Sequence, residues 1–197
     1  SAYAGLVNAG AVSAQTIAIT AQATNTSADV LGYYGAGGSL TASGSLTVTG
    51  NSAGSGNGFY SFGGSLNAGN GITLNGTSAH GQGLGLEQQG TGGSNATLTN
   101  TGGSGISLTG TATDTSKQGA ALNGVTIENR SGNLSITASS GSLDANTTHT
   151  VTGDGKFGGS NTITSSGGGQ AATPGGASLE CPAPRAAAAA AGPETAG

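Results

Sequence analysis

Carboxylate and imidazole side chains could do acid–base or metal chemistry, and this chain has few of them. It contains two histidines, His80 and His149, and eight carboxylates: Asp29, Glu87, Asp114, Glu128, Asp144, Asp154, Glu180 and Glu194. Acid–base catalysis needs two such groups held around one bond. The carboxylates fall at different positions of the sequence repeat described below, and neither histidine has a cysteine or carboxylate at ligand spacing. The sequence therefore predicts no catalytic centre, no metal site and no cofactor.

Asparagines in Asn-x-Ser/Thr triplets are candidate sites of N-glycosylation. Six occur, at Asn25, Asn75, Asn95, Asn129, Asn133 and Asn146. Several would arise by chance in a chain this rich in Asn, Ser and Thr, so modification at these positions is a hypothesis.

Aromatic residues cluster in two short segments, Tyr33-Tyr34 and Phe59-Tyr60-Ser61-Phe62. Neighbours on a strand point to opposite faces, so we expect Phe59 and Ser61 on one face and Tyr60 and Phe62 on the other. The rings could stack in a core. Alternatively, outward rings could form an exposed patch that contacts carbohydrate or protein, and its candidates are Tyr33, Tyr34 and Tyr60.

A sequence repeat must position these residues. The segment Gly44–Gly50, GSLTVTG, returns at Gly71–Gly76 as GITLNG and at Gly105–Gly110 as GISLTG, with a spacing near thirty residues. Each repeat contains short alternating runs separated by Gly, Asn and Ser, which predicts three strands joined by turns. This is the plan of a parallel β-helix, or β-solenoid, in which coils stack about 4.8 Å apart. Its interior column is predicted to contain Ile17, Leu46, Ile72, Ile106 and Leu134.

The repeat divides the chain into three parts. Residues 1–14 are predicted to be a preceding coil or cap, residues 15–166 the β-helix repeats, and residues 167–197 a Gly/Ala/Pro-rich linker or flexible tail. About five coils would form a rod of roughly 25 Å. Open strand edges at its two ends predict end-to-end self-association.

Composition excludes several classes of function. Only 6% of the 197 residues are charged, and four Lys/Arg are scattered along a chain of net charge −4. Nucleic-acid binding is not expected without a basic patch. No apolar run approaches the ~20 residues of a membrane span. The single cysteine cannot form an internal disulfide.

The repeat segments resemble those of filamentous-haemagglutinin and high-molecular-weight adhesins, the exoproteins of bacterial two-partner secretion. The resemblance covers roughly residues 15–165 and is carried by GSLTVTGNSAGSGNG, GITLNGTSAHGQGLGL, GISLTGTATDTSKQGAAL and GNLSITASSGSL. It implies a right-handed parallel β-helix at the bacterial surface, secreted through an outer-membrane partner. The secretion domain of that family carries Asn-Pro-Asn motifs, and this chain has no Asn-Pro pair. We therefore expect an internal shaft segment.

The function expected from the resemblance is attachment to host cells or matrix, through many weak contacts with a glycan or protein of the host-cell surface. One alternative is a passive stalk of a contact-dependent growth inhibition toxin or another exoprotein. A more remote one is a carbohydrate-active β-helix enzyme, since such enzymes also use this fold. Threonine pairs such as Thr47 and Thr49 could bind ice, but they do not recur in every coil.

Overall fold

Three parallel sheets contain all the strands of the described residues. The computed structural model describes residues 4–27, 29–87, 89, 94–114, 116–123, 125–132, 134–139, 142–145, 150–152 and 162–166. Two predicted glycosylation sites, Asn133 and Asn146, and the predicted tail at 167–197 lie outside these residues.

The strands of the first three coils are β1 (Ala4–Asn8), β2 (Ala11–Ala14), β3 (Ile17–Ala23), β4 (Leu31–Ala36), β5 (Ser39–Ala42), β6 (Leu46–Ser52), β7 (Phe59–Phe62), β8 (Ser65–Ala68) and β9 (Ile72–Ser78). Those that follow are β10 (Leu84–Glu87), β11 (Ala96–Asn100), β12 (Ile106–Ala112), β13 (Gln118–Asn123), β14 (Val125–Asn129), β15 (Leu134–Ser139), β16 (Ser142–Ala145), β17 (Thr150–Thr152) and β18 (Thr162–Ser166).

Every third strand belongs to the same sheet. Sheet A contains β1, β4, β7, β10, β13 and β16, sheet B contains β2, β5, β8, β11, β14 and β17, and sheet C contains β3, β6, β9, β12, β15 and β18. All pairings are parallel, and each strand pairs with its counterpart one coil away. The chain is therefore a parallel β-helix with about three strands per coil, as the repeat predicts. The predicted repeats at residues 15–166 contain β3 through β18, and the predicted preceding coil or cap at residues 1–14 contains β1 and β2.

Alternating residues of the central strands, such as β6, β9 and β12, enter a continuous core. In β6 the side chains of Leu46, Val48 and Ser52 are buried, while those of Thr47 and Thr49 are half-buried on the outside. A pattern of period two is what a sheet with one solvated face requires. The residues predicted to share a column are successive partners in register, and none is more than 5% exposed: Ile17, Leu46, Ile72, Ile106 and Leu134.

Glycine at the end of each repeat segment is required by a close approach of the backbone. Gly50, Gly76 and Gly110 are partners in sheet C and point inward. A Cβ at Gly50 would lie 2.2 Å from the carbonyl oxygen of Gly58, and one at Gly76 would lie 2.1 Å from that of Gly83. A side chain cannot fit there because the chain turns back towards sheet A directly over this position. The recurring glycine thus reflects how tightly the corner is closed.

Two buried asparagines stabilise the turns after sheet B. Asn100 and Asn129 are partners at the ends of β11 and β14, with exposures of 0% and 1%. The Asn100 side-chain amide donates to Asn129 Oδ1 and to Gly102 O, each at 2.8 Å, and Asn100 Oδ1 accepts from Gly71 N at 2.7 Å. Asn129 Nδ2 donates to Gly132 O at 3.1 Å. These bonds join adjacent coils and satisfy turn backbone groups that have no place in a sheet.

We predict that Asn100→Ala lowers the free energy of unfolding by about 2–4 kcal/mol, because it leaves buried backbone groups unpaired. Asn100→Asp should be at least as harmful at neutral pH, since a carboxylate would face carbonyl oxygens. As the pH falls, Asn100→Asp should recover part of the lost free energy of unfolding, because burial raises the pKa of such a carboxyl and favours its neutral form.

Urea denaturation followed by circular dichroism measures both effects. Asn67→Ala is the matched control, because Asn67 lies on the outer face of sheet B and donates only a 3.3 Å bond to Thr41. Its cost should stay within about 0.5 kcal/mol. Equal losses in Asn100→Ala and Asn67→Ala would contradict the role assigned to the buried pair.

Candidate functional site

The aromatic residues of β4 and β7 divide between the two faces of sheet A. Tyr33 and Phe59 point inward with exposures of 1% and 0%, and their rings stack with centroids 4.9 Å apart. Tyr34, Tyr60 and Phe62 point outward and are half-buried. The candidate contact Tyr33 is therefore wrong as an exposed residue, because its partner in register is the buried Phe59. Of the adjacent tyrosines, it is Tyr34 that faces outward.

Tyr60 is fixed in place by the neighbouring strand β10. A Cβ on Gly85 would lie 2.8 Å from Tyr60 Cδ2, so the ring packs against the bare backbone of that glycine. The Tyr60 hydroxyl donates to Glu87 Oε2 at 2.7 Å. The ring planes of Tyr34 and Phe62 lie within 14° and 24° of it, at centroid distances of 5.8 and 6.2 Å. These contacts hold three aromatic rings on the outside of the β-helix.

A ladder of side-chain amides runs beside these rings. Asn57, Gln82 and Gln118 each precede by two residues one member of a register column, Phe59, Leu84 and Ala120. Asn57 Nδ2 donates to Gln82 Oε1 at 3.1 Å, and Gln82 Nε2 donates to Gln118 Oε1. Asn57 Oδ1 also accepts from Gln82 N at 3.2 Å. We call Asn57, Gln82 and Gln118 the amide ladder.

The amide ladder and Tyr60 line one surface groove of about 610 Å³ at the corner between sheets C and A. We call it the aromatic-amide groove. Its other titratable lining residues are Asp29, His80, Glu87 and Lys117. Its volume lies in the range of small-ligand clefts, but such clefts are usually lined mostly by apolar side chains, whereas this lining is almost wholly polar. The groove therefore suits a polar ligand.

The electrostatics of the groove favour binding over proton transfer. Burial raises the pKa of Tyr60 well above its usual value, and the hydrogen bond and negative charge of Glu87 raise it further. Tyr60 therefore remains a phenol that donates a hydrogen bond, rather than a base. Beside the groove, hydrogen bonds from Ser116 lower the pKa of Asp114, with smaller contributions from Lys117 and His80. Among the described residues, no group of three or more His, Cys, Asp or Glu could hold a metal ion.

The predicted glycosylation sites differ in access. Asn129 is wrong as an acceptor in the folded chain, because its side chain is buried and donates to Gly132 O. Asn75 and Asn95 are half-buried and donate to threonine hydroxyls on the adjacent coil, each at 3.4 Å. Asn25 is exposed in the loop between β3 and β4, where its Oδ1 accepts from Ser27 N at 3.0 Å. Modification of these exposed or half-exposed positions stays a prediction.

Sequence reasoning missed the amide ladder and the bond between Tyr60 and Glu87. The available signal was positional: Asn57, Gln82 and Gln118 occupy one position of three successive repeats, just before or at the start of the sheet A strand of each repeat. Glu87 likewise shares a register position with Phe62.

Comparisons with known proteins give no match that could name the function of this chain. No family model, curated protein or solved structure matches the chain. Within the described ranges, no helix has the length and apolar character needed to cross a membrane.

We predict that stability falls in alkaline solution and that Tyr60 is one cause. The pKa of Tyr60 in the folded chain is raised above its ordinary value of 10.0. The stability that the neutral hydroxyl gives the folded state is therefore fully present below about pH 10, and it is lost as the pH rises further. Burial also raises the pKa of Tyr33, which adds to the loss. Tyr60→Phe should reduce the loss of stability at alkaline pH. At neutral pH it should lower the free energy of unfolding by about 1 kcal/mol, since the hydrogen bond that it removes is half-exposed.

Urea denaturation at neutral and alkaline pH checks this prediction. Glu87→Gln serves as the control, because it keeps an acceptor for the tyrosine hydroxyl and removes the charge. An intermediate alkaline loss is expected in that variant. An alkaline loss in Tyr60→Phe as large as in the unmodified chain would contradict the assignment.

Proposed function

We propose that this chain is a shaft segment of a secreted bacterial surface adhesin that attaches to the host-cell surface. The aromatic-amide groove is the observation that carries this proposal, since the Tyr60 ring, the amide ladder and two carboxylates line it together, and Tyr34 and Phe62 stack beside Tyr60 on the same sheet. The resemblance of the repeat segments to two-partner-secretion adhesins supports it independently.

A glycan is the favoured ligand of the groove. Side-chain amides donate and accept hydrogen bonds at once, which suits pairs of adjacent sugar hydroxyls. The negatively polarised faces of aromatic rings attract the C–H faces of sugar rings. Tyr60 and Gln82 provide these groups within one groove. A surface glycan of the host cell therefore fits the chemistry better than an anionic polymer does, since Glu87 and Asp29 are acidic.

The β-helix contributes stiffness and repetition to adhesion. Each coil holds its outward side chains in register with those of the next coil, so weak sites on neighbouring coils can bind one surface together. In the full-length protein, the proposal includes export through an outer-membrane secretion partner. End-to-end association of β-helix segments also stays a prediction.

A passive stalk is the second candidate, and the outer faces of sheets B and C favour it. Asn67 bonds to Thr41 at 3.3 Å, and Asn75 bonds to Thr49 at 3.4 Å, so these polar side chains partly satisfy one another. The outward residues of sheet C in β6, β9 and β12 are all short and uncharged: Thr47, Thr49, Asn51, Thr73, Asn75, Thr77, Ser107, Thr109 and Thr111. A carbohydrate-active enzyme has less support, because Tyr60 and Glu87 are bonded to each other.

Binding of the 197-residue chain to cultured host cells and to a glycan array tests the proposal. We expect binding, and we expect Gly85→Ala to weaken it at least about tenfold, or about 1.4 kcal/mol, because the added methyl displaces the Tyr60 ring. Gly103→Ala is the matched control, since nothing lies within 4 Å of a Cβ there. Circular dichroism should show the same fold in both variants.

One outcome would count against the adhesin, and another would count against the groove as its binding site. Absence of binding to cells and glycans by the unmodified chain would leave the passive stalk as the better explanation for this segment. Equal binding by Gly85→Ala and Gly103→Ala would mean that adhesion occurs elsewhere on the surface.

A further inference from the structure

We infer that the aromatic-amide groove binds a neutral glycan in an extended form that lies along the β-helix axis, with one hexose over each coil. This inference rests on the proposed function, and it names the ligand class and its orientation. The residues that carry it are Asn57, Gln82 and Gln118 together with Tyr60.

The orientation of the ligand along the β-helix axis follows from the amide ladder. Its three members belong to consecutive coils, so they follow one another along the axis at the inter-strand spacing of about 4.8 Å. A ligand that contacts all three must therefore place a hydroxyl opposite each rung, at a similar repeat. A terminal sugar can reach one rung or two, whereas a chain laid along the axis can reach every rung.

Unused hydrogen-bonding capacity remains at the middle rung of the ladder, Gln82. A carboxamide has two N–H donors and two acceptor lone pairs. The side chain of Gln82 uses one N–H towards Gln118 and one lone pair towards Asn57, which leaves one of each for a ligand. Because the amides point the same way, each bond polarises the next and strengthens the remaining donors and acceptors.

Ligand geometry follows from this spacing. A hexose chain joined through equatorial bonds at opposite sides of each ring is an extended ribbon, and its advance per residue is close to the inter-strand spacing of a sheet. A chain joined through axial bonds curls and departs from a straight line of rungs. The ladder therefore selects the extended linkage from hexose polymers of the same composition.

Tyr60 supplies the apolar contact and is already in position. Gly85 beneath the ring and Glu87 at its hydroxyl hold one orientation, so little conformational freedom is lost on binding. The titratable residues around it are Asp29, His80, Glu87 and Lys117. With two carboxylates among them, the groove lacks the cationic surplus that a sulfated or phosphorylated chain would require.

Calorimetric titration of the 197-residue chain with glucose, cellobiose, cellotriose, cellohexaose and maltohexaose tests the inference. These probes are neutral, and the last two differ in linkage geometry but not in composition. We expect affinity to rise about fivefold per added hexose, which corresponds to about 1 kcal/mol, and to level off beyond cellotriose. Maltohexaose should bind at least about tenfold more weakly than cellohexaose.

Two variants test whether the rise of affinity with chain length comes from the amide ladder. Gln82→Ala removes the middle rung and should abolish the rise with chain length, with a loss of about tenfold or more for cellotriose. Asn67→Ala removes an outward amide of sheet B and should bind like the unmodified chain. Affinity that does not depend on length, equal binding of maltohexaose, or unmodified affinity in Gln82→Ala would each overturn the inference.

The two proposals fail in different ways. Binding to cells and to other array glycans, without binding of cello-oligosaccharides, would overturn this ligand class and leave the adhesin standing. Absence of all binding to cells and arrays would overturn both.

Discussion

Register between successive coils determines the direction of every side chain in this β-helix. Leu46 pairs with Ile72, and Ile72 pairs with Ile106, so the apolar residues of sheet C form one column of near-zero exposure. A slip of one residue would turn that column towards water and bring threonines inside. Each buried Leu or Ile contributes roughly 1.5–3 kcal/mol through its removal from water, and the column therefore fixes the register strongly. The same register aligns the outward side chains of successive coils.

The aromatic-amide groove is a direct consequence of that alignment. Asn57 and Gln82 are 25 residues apart and Gln82 and Gln118 are 36 apart, yet the fixed register places their amides in contact. Gly85 contributes by having no side chain, because any Cβ would occupy the place of the Tyr60 ring. The core on the inside and the groove on the outside therefore depend on the same stacking.

Periodicity in the sequence was enough to predict the fold class and the members of the interior column. It also placed Phe59 and Ser61 on the face opposite Tyr60, and both are buried. It could not decide between Tyr33 and Tyr34, because alternation says only that neighbours face apart, whereas the choice depends on pairing with Phe59. The amide ladder was not predicted because its members precede or begin their strands. At those positions the alternation of strand residues does not indicate which way a side chain points. Asn129 was misjudged because a glycosylation triplet carries no information about burial.

Scarcity of charge makes neutral hydrogen bonds the main source of specificity on this surface. The ion pair between Arg130 and Glu128, at 2.6 Å, has side chains 47% and 32% exposed, and such pairs contribute little. Stacked amides and hydroxyls satisfy one another between coils, as in the bonds of Asn67 to Thr41 and Asn75 to Thr49. A surface satisfied in this way presents little to a partner. The groove differs because Gln82 keeps a donor and an acceptor close to the Tyr60 ring, and that combination distinguishes a binding face from the rest of the shaft.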